Sequence, residues 1–194
     1  PSPDWLQARL RSIGARPINN VVDATNYVLF ESGQPTHAYD LSRLGGGVAT
    51  ARRARPDETL LALDEVEHAL ADDMLVIADA DRAVNIAGIM GDQDSGVTEE
   101  TTDVFIECAA FEPGPVRRTR KTLGIQSDAG YRFERWVDPT GQREALARVV
   151  EVILATAGGE VHPVLADVHP RPWTPTTLSL RLARVEQVLG VAFD

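Results

Sequence analysis

Glu107 has the most suggestive setting of any residue in the sequence. It lies in Thr102-Asp103-Val104-Phe105-Ile106-Glu107-Cys108-Ala109-Ala110-Phe111, a short stretch rich in Val, Phe and Ile that reads as a buried strand. Strand side chains alternate between faces. Val104, Ile106, Cys108 and Ala110 therefore share one face, and Phe105, Glu107, Ala109 and Phe111 the other. The second face sets a carboxylate between two phenyl rings. A buried carboxylate is costly unless something hydrogen-bonds it. Two arrangements meet that cost: a structural ion pair with an arginine, or a polar group on the wall of an aromatic-sized pocket. His37 lies in Gln34-Pro35-Thr36-His37-Ala38-Tyr39-Asp40, which reads as a loop. A loop histidine is ordinarily surface decoration, but here the rigid Pro35 and a helix stop at Gly33 fix its direction. Arg16, just before Pro17, falls in an extended segment and by itself reads as a solvated loop arginine.

Several chemistries are disfavoured. The chain has one cysteine and four histidines. Cys108 forms no internal disulfide, fits a reducing cytosol, and reads as a small core residue rather than a nucleophile. The histidines show no paired spacing, so no metal site is expected. Gly91-Asp92-Gln93-Asp94-Ser95-Gly96 lacks the glycine-lysine pattern of a phosphate loop, and its aspartates are out of register with a calcium loop. No apolar run is long enough for a membrane span. The net charge of −10 argues against a general nucleic-acid-binding surface. Arg117-Arg118-Thr119-Arg120-Lys121 is a basic exception. It reads first as a solvated helix face and second as a phosphate contact.

These residues must be positioned by regular elements. Ser2-Pro3-Asp4 reads as the cap of a first helix, with Leu6, Leu10 and Ile13 at helical spacing and Gly14 as the stop. Asp23 reads as the cap of a second, 24–32. Antiparallel strands are expected at 48–52, 59–63 and 74–78. Residues 83–91 form an apolar segment in which Gly88 and Gly91 mark turns or close approaches. A helix is expected over 113–122, and a short one capped by Ser127 or Asp128. The longest, 139–157, buries Leu146, Val149, Val150, Ile153 and Leu154. A strand at 161–168, a proline-rich linker at 169–175, and a strand and helix over 176–189 complete the reading. The fold class expected is α+β, with antiparallel or mixed sheets flanked by helices. Because the chain opens inside a helix cap, it is expected to be a piece of a longer protein.

Five blocks, in order, are similar to one known family. They are Arg16-Pro17-Ile18-Asn19-Asn20-Val21-Val22-Asp23-Ala24-Thr25-Asn26-Tyr27, Gly33-Gln34-Pro35-Thr36-His37-Ala38-Tyr39-Asp40, Gly88-Ile89-Met90-Gly91, Phe105-Ile106-Glu107-Cys108-Ala109 and Ser127-Asp128-Ala129-Gly130-Tyr131-Arg132-Phe133-Glu134-Arg135. Together they resemble the editing domain of the bacterial phenylalanyl-tRNA synthetase beta subunit. The resemblance implies an editing domain over 1–168, the linker, and the start of a further beta-subunit module over 176–194. It implies hydrolysis of tyrosyl-tRNA(Phe) in the cytoplasm, within an α2β2 assembly with the alpha subunit. It assigns Glu107 to the tyrosine hydroxyl, helped by backbone near Gly91. It sets Arg16 and His37 where terminal adenosine, ester and water meet, and has Ser127 and Ala129 shape the pocket. No covalent intermediate and no cofactor in this chain are implied, with ATP and magnesium bound elsewhere in the synthetase. A noncatalytic module for subunit assembly and tRNA positioning is the alternative, with Tyr131 to Trp136 and the last helix as contact surfaces. Ser127 stands where the family often has threonine. Tyr39 and Gly130 also depart from its usual forms, at positions where no chemistry is expected.

Overall fold

The computed structural model describes residues 1–169 and 173–192. Helix α1 (Asp4–Ser12) leads to α2 (Asn20–Ser32). Strand β1 (Thr36–Asp40) follows directly, so His37 lies on a strand and not in the expected loop. Next come β2 (Thr50–Arg53), β3 (Thr59–Leu61), β4 (Glu67–Ala69), β5 (Leu75–Ala78), β6 (Ala83–Ile86) and β7 (Met90–Gly91). The strand carrying Glu107 is β8 (Val104–Cys108). Then follow α3 (Pro113–Leu123), α4 (Asp128–Phe133) and α5 (Gln142–Ala157). Among the described residues every strand pairing is antiparallel: β1 with β8, β3 with β4, and a sheet ordered β2-β5-β6-β7. The fold is α+β.

The β1–β8 pair separates two packing environments. Ile106 and Cys108 pack toward Leu6, Leu10, Val28 and Val149 of the helices. Phe105, on the opposite face, packs with Tyr39, Ile77 and Val84 of the sheet. The alternation expected of an apolar strand is therefore realised, with a different layer on each side. A third cluster joins Val76, Ile86 and Met74 of the sheet region to Val116 of α3 and Phe133 of α4.

Several expected boundaries shift, each for a local reason. Asp23 is not the cap of α2. Asn19 fills that role, its Oδ1 accepting from the Val22 N–H at 2.9 Å. Asp23 instead sits fully buried within the helix, accepting from Ser2 Oγ at 2.5 Å and from the Ile18 N–H at 2.8 Å. Ser2 is thereby diverted from α1, which starts without a side-chain cap. Helix α5 begins at Gln142 because Asp138 first closes a turn, accepting from the Thr140 N–H at 2.9 Å and its hydroxyl at 2.8 Å. Its buried stripe is Ala145, Val149 and Val152, and Leu154 is exposed. The stripe is rotated from the expected one because α5 packs on both α2 and β8.

The chain divides into compact units Pro1–Pro163 and Val164–Asp194. In the second unit α6 (Leu182–Leu189) ends at Gly190 in the left-handed conformation. The strands expected at 161–168 and 176–180 do not form. A strand needs a ladder neighbour, and none of the described strands pairs with either stretch. Pro170 to Pro172, in the expected linker, lie outside the described residues. Among the described residues no helix is long and apolar enough to cross a membrane.

The Asp23 anchor ties the chain's first residues and the segment before α2 to one buried carboxylate. Asp23→Ala leaves the Ser2 hydroxyl and the Ile18 N–H unpaired, and is expected to cost about 2–4 kcal/mol of stability. Urea unfolding measures this, with the exposed Asp4→Ala as a control expected to lose under ~1 kcal/mol.

Candidate functional site

Antiparallel register places His37 directly opposite Glu107 and Tyr39 opposite Phe105. All four side chains therefore share the face turned to the four-stranded sheet. Residues diagonal across a strand pair are within reach when a side chain is long. Tyr39 uses that reach: its hydroxyl donates to Glu107 Oε2 at 2.6 Å and accepts from Asn85 Nδ2 on β6 at 3.1 Å. The Tyr39 ring is fully buried and meets the His37 ring edge-on at 4.4 Å between centroids.

Beside this cluster lies a cavity of ≈ 50 Å³, lined by His37, Glu107, Asn85, Gly91, Ala129 and Phe111 among others. The β6–β7 turn forms one wall. Gly88 turns there at φ +70°, and a Cβ at that position would lie 2.7 Å from the Phe111 ring and 2.9 Å from the Phe133 ring. Gly91 closes on His37: a Cβ would lie 2.6 Å from His37 Cε1. Both glycines are required by close approach, and at Gly88 by backbone angle too. A second cavity of ≈ 340 Å³ also has Phe111 in its lining.

The electrostatics of the cavity follow from the burial of its titratable groups. Burial pushes the His37 imidazolium pKa down to about 4, against a smaller opposing pull from Asp92, so the ring is neutral at pH 7. Burial raises the Glu107 carboxyl, and the hydrogen bond from Tyr39 pulls it back. Burial and then the Glu107 charge hold the Tyr39 phenol protonated. Burial pushes the Cys108 thiol up to about 12, with Glu107 adding to the effect, which leaves it a poor nucleophile. Asp92 is spent on structure, accepting from Arg82 Nη1 at 2.5 Å and from the Ser95 N–H at 3.1 Å.

Buried polar atoms are nearly always hydrogen-bonded. Thr36 Oγ1, His37 Nε2 and Asn85 Oδ1 are buried without a partner, and all three belong to residues lining the smaller cavity. Among the described residues one other side-chain atom shares that condition, Arg120 Nε. Arg120 lies in the basic run and is not the solvated residue expected there, since its Nη1 pairs with Glu134 at 2.5 Å.

Of the six site residues named from the sequence, His37, Glu107, Gly91 and Ala129 line the cavity. Ser127 does not. Its hydroxyl donates to the Ile89 carbonyl at 2.7 Å and accepts from the Gly130 N–H at 3.0 Å, tying the start of α4 to the β6–β7 turn. Arg16 is exposed and outside the lining. Sequence reasoning missed Tyr39 and Asn85. The signal that could have found Tyr39 is its period-2 spacing from His37, had 36–40 been read as a strand.

Residues 1–158 match the family model described as the B3/4 domain. The chain belongs to the B3/4 domain family. It is 46% identical to the phenylalanine–tRNA ligase beta subunit of Carboxydothermus hydrogenoformans, over all of the chain and 24% of that protein. It is 48% identical to the protein of the same name from Salinibacter ruber, over 97% of the chain and 23% of the relative. The Thermotoga maritima beta subunit is 44% identical over the whole chain and 24% of its own length. The chain thus spans about a quarter of the length of these curated relatives. In this B3/4 domain the cavity sits where β1, β8, the β6–β7 turn and α4 converge.

Two measurements probe the domain's cavity. Gly91→Ala drives a methyl into the His37 ring and is expected to cost about 1–3 kcal/mol of stability, read by thermal unfolding. His37 also makes stability depend on pH. Its folded pKa of about 4 lies below the ordinary 6.5, so between these values the unfolded chain binds a proton the folded chain refuses. Stability from this group is fully present above pH 6.5 and falls as pH drops toward 4, by up to about 3 kcal/mol. In urea titrations His37→Gln is expected to flatten that decline.

Proposed function

We propose that this B3/4 domain hydrolyses the tyrosyl ester of mischarged tRNA(Phe). It would do so as part of a cytoplasmic phenylalanine–tRNA ligase beta subunit, assembled with an alpha subunit in an α2β2 enzyme. The observation that carries this reading is the small cavity whose lining has unpartnered buried polar atoms beside a carboxylate. The names borne by its relatives supply the wider setting.

Each residue then has a task. Glu107 accepts the substrate's phenolic hydroxyl through the oxygen that Tyr39 does not use. A substrate without that hydroxyl leaves the carboxylate oxygen unpaired, which is the asymmetry that lets a polar site reject an analogue strongly. The neutral His37 orients the attacking water near the ester, and the exposed Arg16 meets the terminal nucleotide. Ala129 leaves room for the ring, and Ser127 holds the wall in place. The cavity is smaller than the ~150 Å³ that admits benzene, so entry of a phenol moves part of the lining. Because an aminoacyl ester is already activated, oriented water and a positioned substrate suffice.

A second reading has one observation in its favour. Tyr131 is 54% exposed and Trp136 53% exposed, a pair of aromatic side chains suited to a protein contact. On that reading the domain is a noncatalytic module for subunit assembly and tRNA positioning. Deacylation of tyrosyl-tRNA(Phe) separates the two. Glu107→Ala and His37→Ala are each expected to cut kcat/KM about ten- to a hundredfold. Wild-type rates in both variants would sink the hydrolase and leave the scaffold.

A further inference from the structure

The phenol that already contacts Glu107 belongs to the chain itself. Tyr39 donates to Oε2 at 2.6 Å and is steadied by Asn85 Nδ2 at 3.1 Å. Its ring cannot drift, being packed edge-on against His37 and tilted at 6.0 Å against Phe105. A carboxylate has about four lone-pair sites on two oxygens. With one oxygen engaged, the carboxylate's rotation is restricted, and the second oxygen stays free to accept from a ligand. Asn85 reinforces this: its amide N–H2 faces the phenol, while its Oδ1 is buried and unpartnered at the same cavity.

We propose that Tyr39 is a positioning residue for substrate selection, its phenol clamping Glu107 so that one carboxylate oxygen alone is offered to an incoming hydroxyl. This rests on the hydrolase reading and deepens it. An unclamped glutamate could rotate away from a substrate lacking the hydroxyl and find water. A clamped one cannot, so the penalty for the wrong substrate is preserved. The clamp also favours the charged form of the acceptor. Burial raises the Glu107 carboxyl and the Tyr39 hydrogen bond opposes that rise. The titratable groups facing it are His37 and Tyr39 from β1 and Cys108 on its own strand, with Asp92 after β7 acting on His37 and Tyr39. His37 and Cys108 are neutral at pH 7, so no cation replaces the lost donor.

The test is Tyr39→Phe in the 194-residue chain, which keeps the ring and removes one oxygen. Steady-state hydrolysis of tyrosyl- and phenylalanyl-tRNA(Phe) is measured at pH 8 and pH 6. KM for the tyrosyl substrate is expected to rise about tenfold, the scale of one lost hydrogen bond to a charged group, with kcat little changed. Preference for tyrosyl over phenylalanyl substrate falls by the same factor. The variant's KM is expected to depend more on acidification than the wild type's, because the Tyr39 hydrogen bond that lowers the Glu107 carboxyl is gone. In ¹³C NMR of labelled glutamate, the Glu107 carboxyl titrates at higher pH in the variant. If Tyr39→Phe does not fold, Asn85→Leu, which removes the phenol's anchor, carries the same expectations with a smaller change. Unchanged KM, preference and Glu107 titration overturn the clamp when Glu107→Ala is impaired. Full activity in Glu107→Ala overturns the hydrolase reading beneath it.

Discussion

The site depends on one antiparallel pairing. The β1–β8 register puts His37 across from Glu107 and brings Tyr39 within a diagonal reach of the same carboxylate. Slipping β8 by one residue along β1 would turn Glu107 toward the helices and away from His37 and Tyr39, because strand faces alternate with a period of two. Ile106 and Cys108 on the opposite face oppose such a slip, since they are committed to the helical core. The hydrophobic effect on one side of the pair thus holds the polar geometry on the other.

The rest of the fold supports that pair at its edges. Helix α2 runs directly into β1, and its start is fixed by Asn19 and by the buried Asp23. Helix α4 is fastened to the β6–β7 turn through the Ser127 hydroxyl. The cavity is therefore bounded by elements each tied through a named hydrogen bond or a glycine contact. Burial sets the protonation states: it keeps the imidazole and the phenol neutral, and it raises the Glu107 carboxyl against the hydrogen bond from that phenol.

Local features were legible in the sequence and distant ones were not. The Glu107 strand announced itself by composition, and Gly33 ended the helix it was expected to end. Gly88 and Gly91 were marked as points of close approach, and both have neighbours under 3 Å from a hypothetical Cβ. The Tyr39–Glu107 bond joins residues 68 positions apart. It depends on a register that no local pattern encodes, with the whole four-stranded sheet threaded between the two strands. Asp23 was misread because an acid near a helix start looks alike whether it caps the helix or is buried within it. The apolar residues at 161–168 looked like a strand, but apolar composition does not supply a ladder neighbour.

Phe111 lines both a tight chamber and a roomier one. Its ring occupies the space that a Cβ on Gly88 would need. Any larger residue at position 88 would push on that ring, so an absent methyl group sets how near this wall stands and hence the bore of the tight chamber.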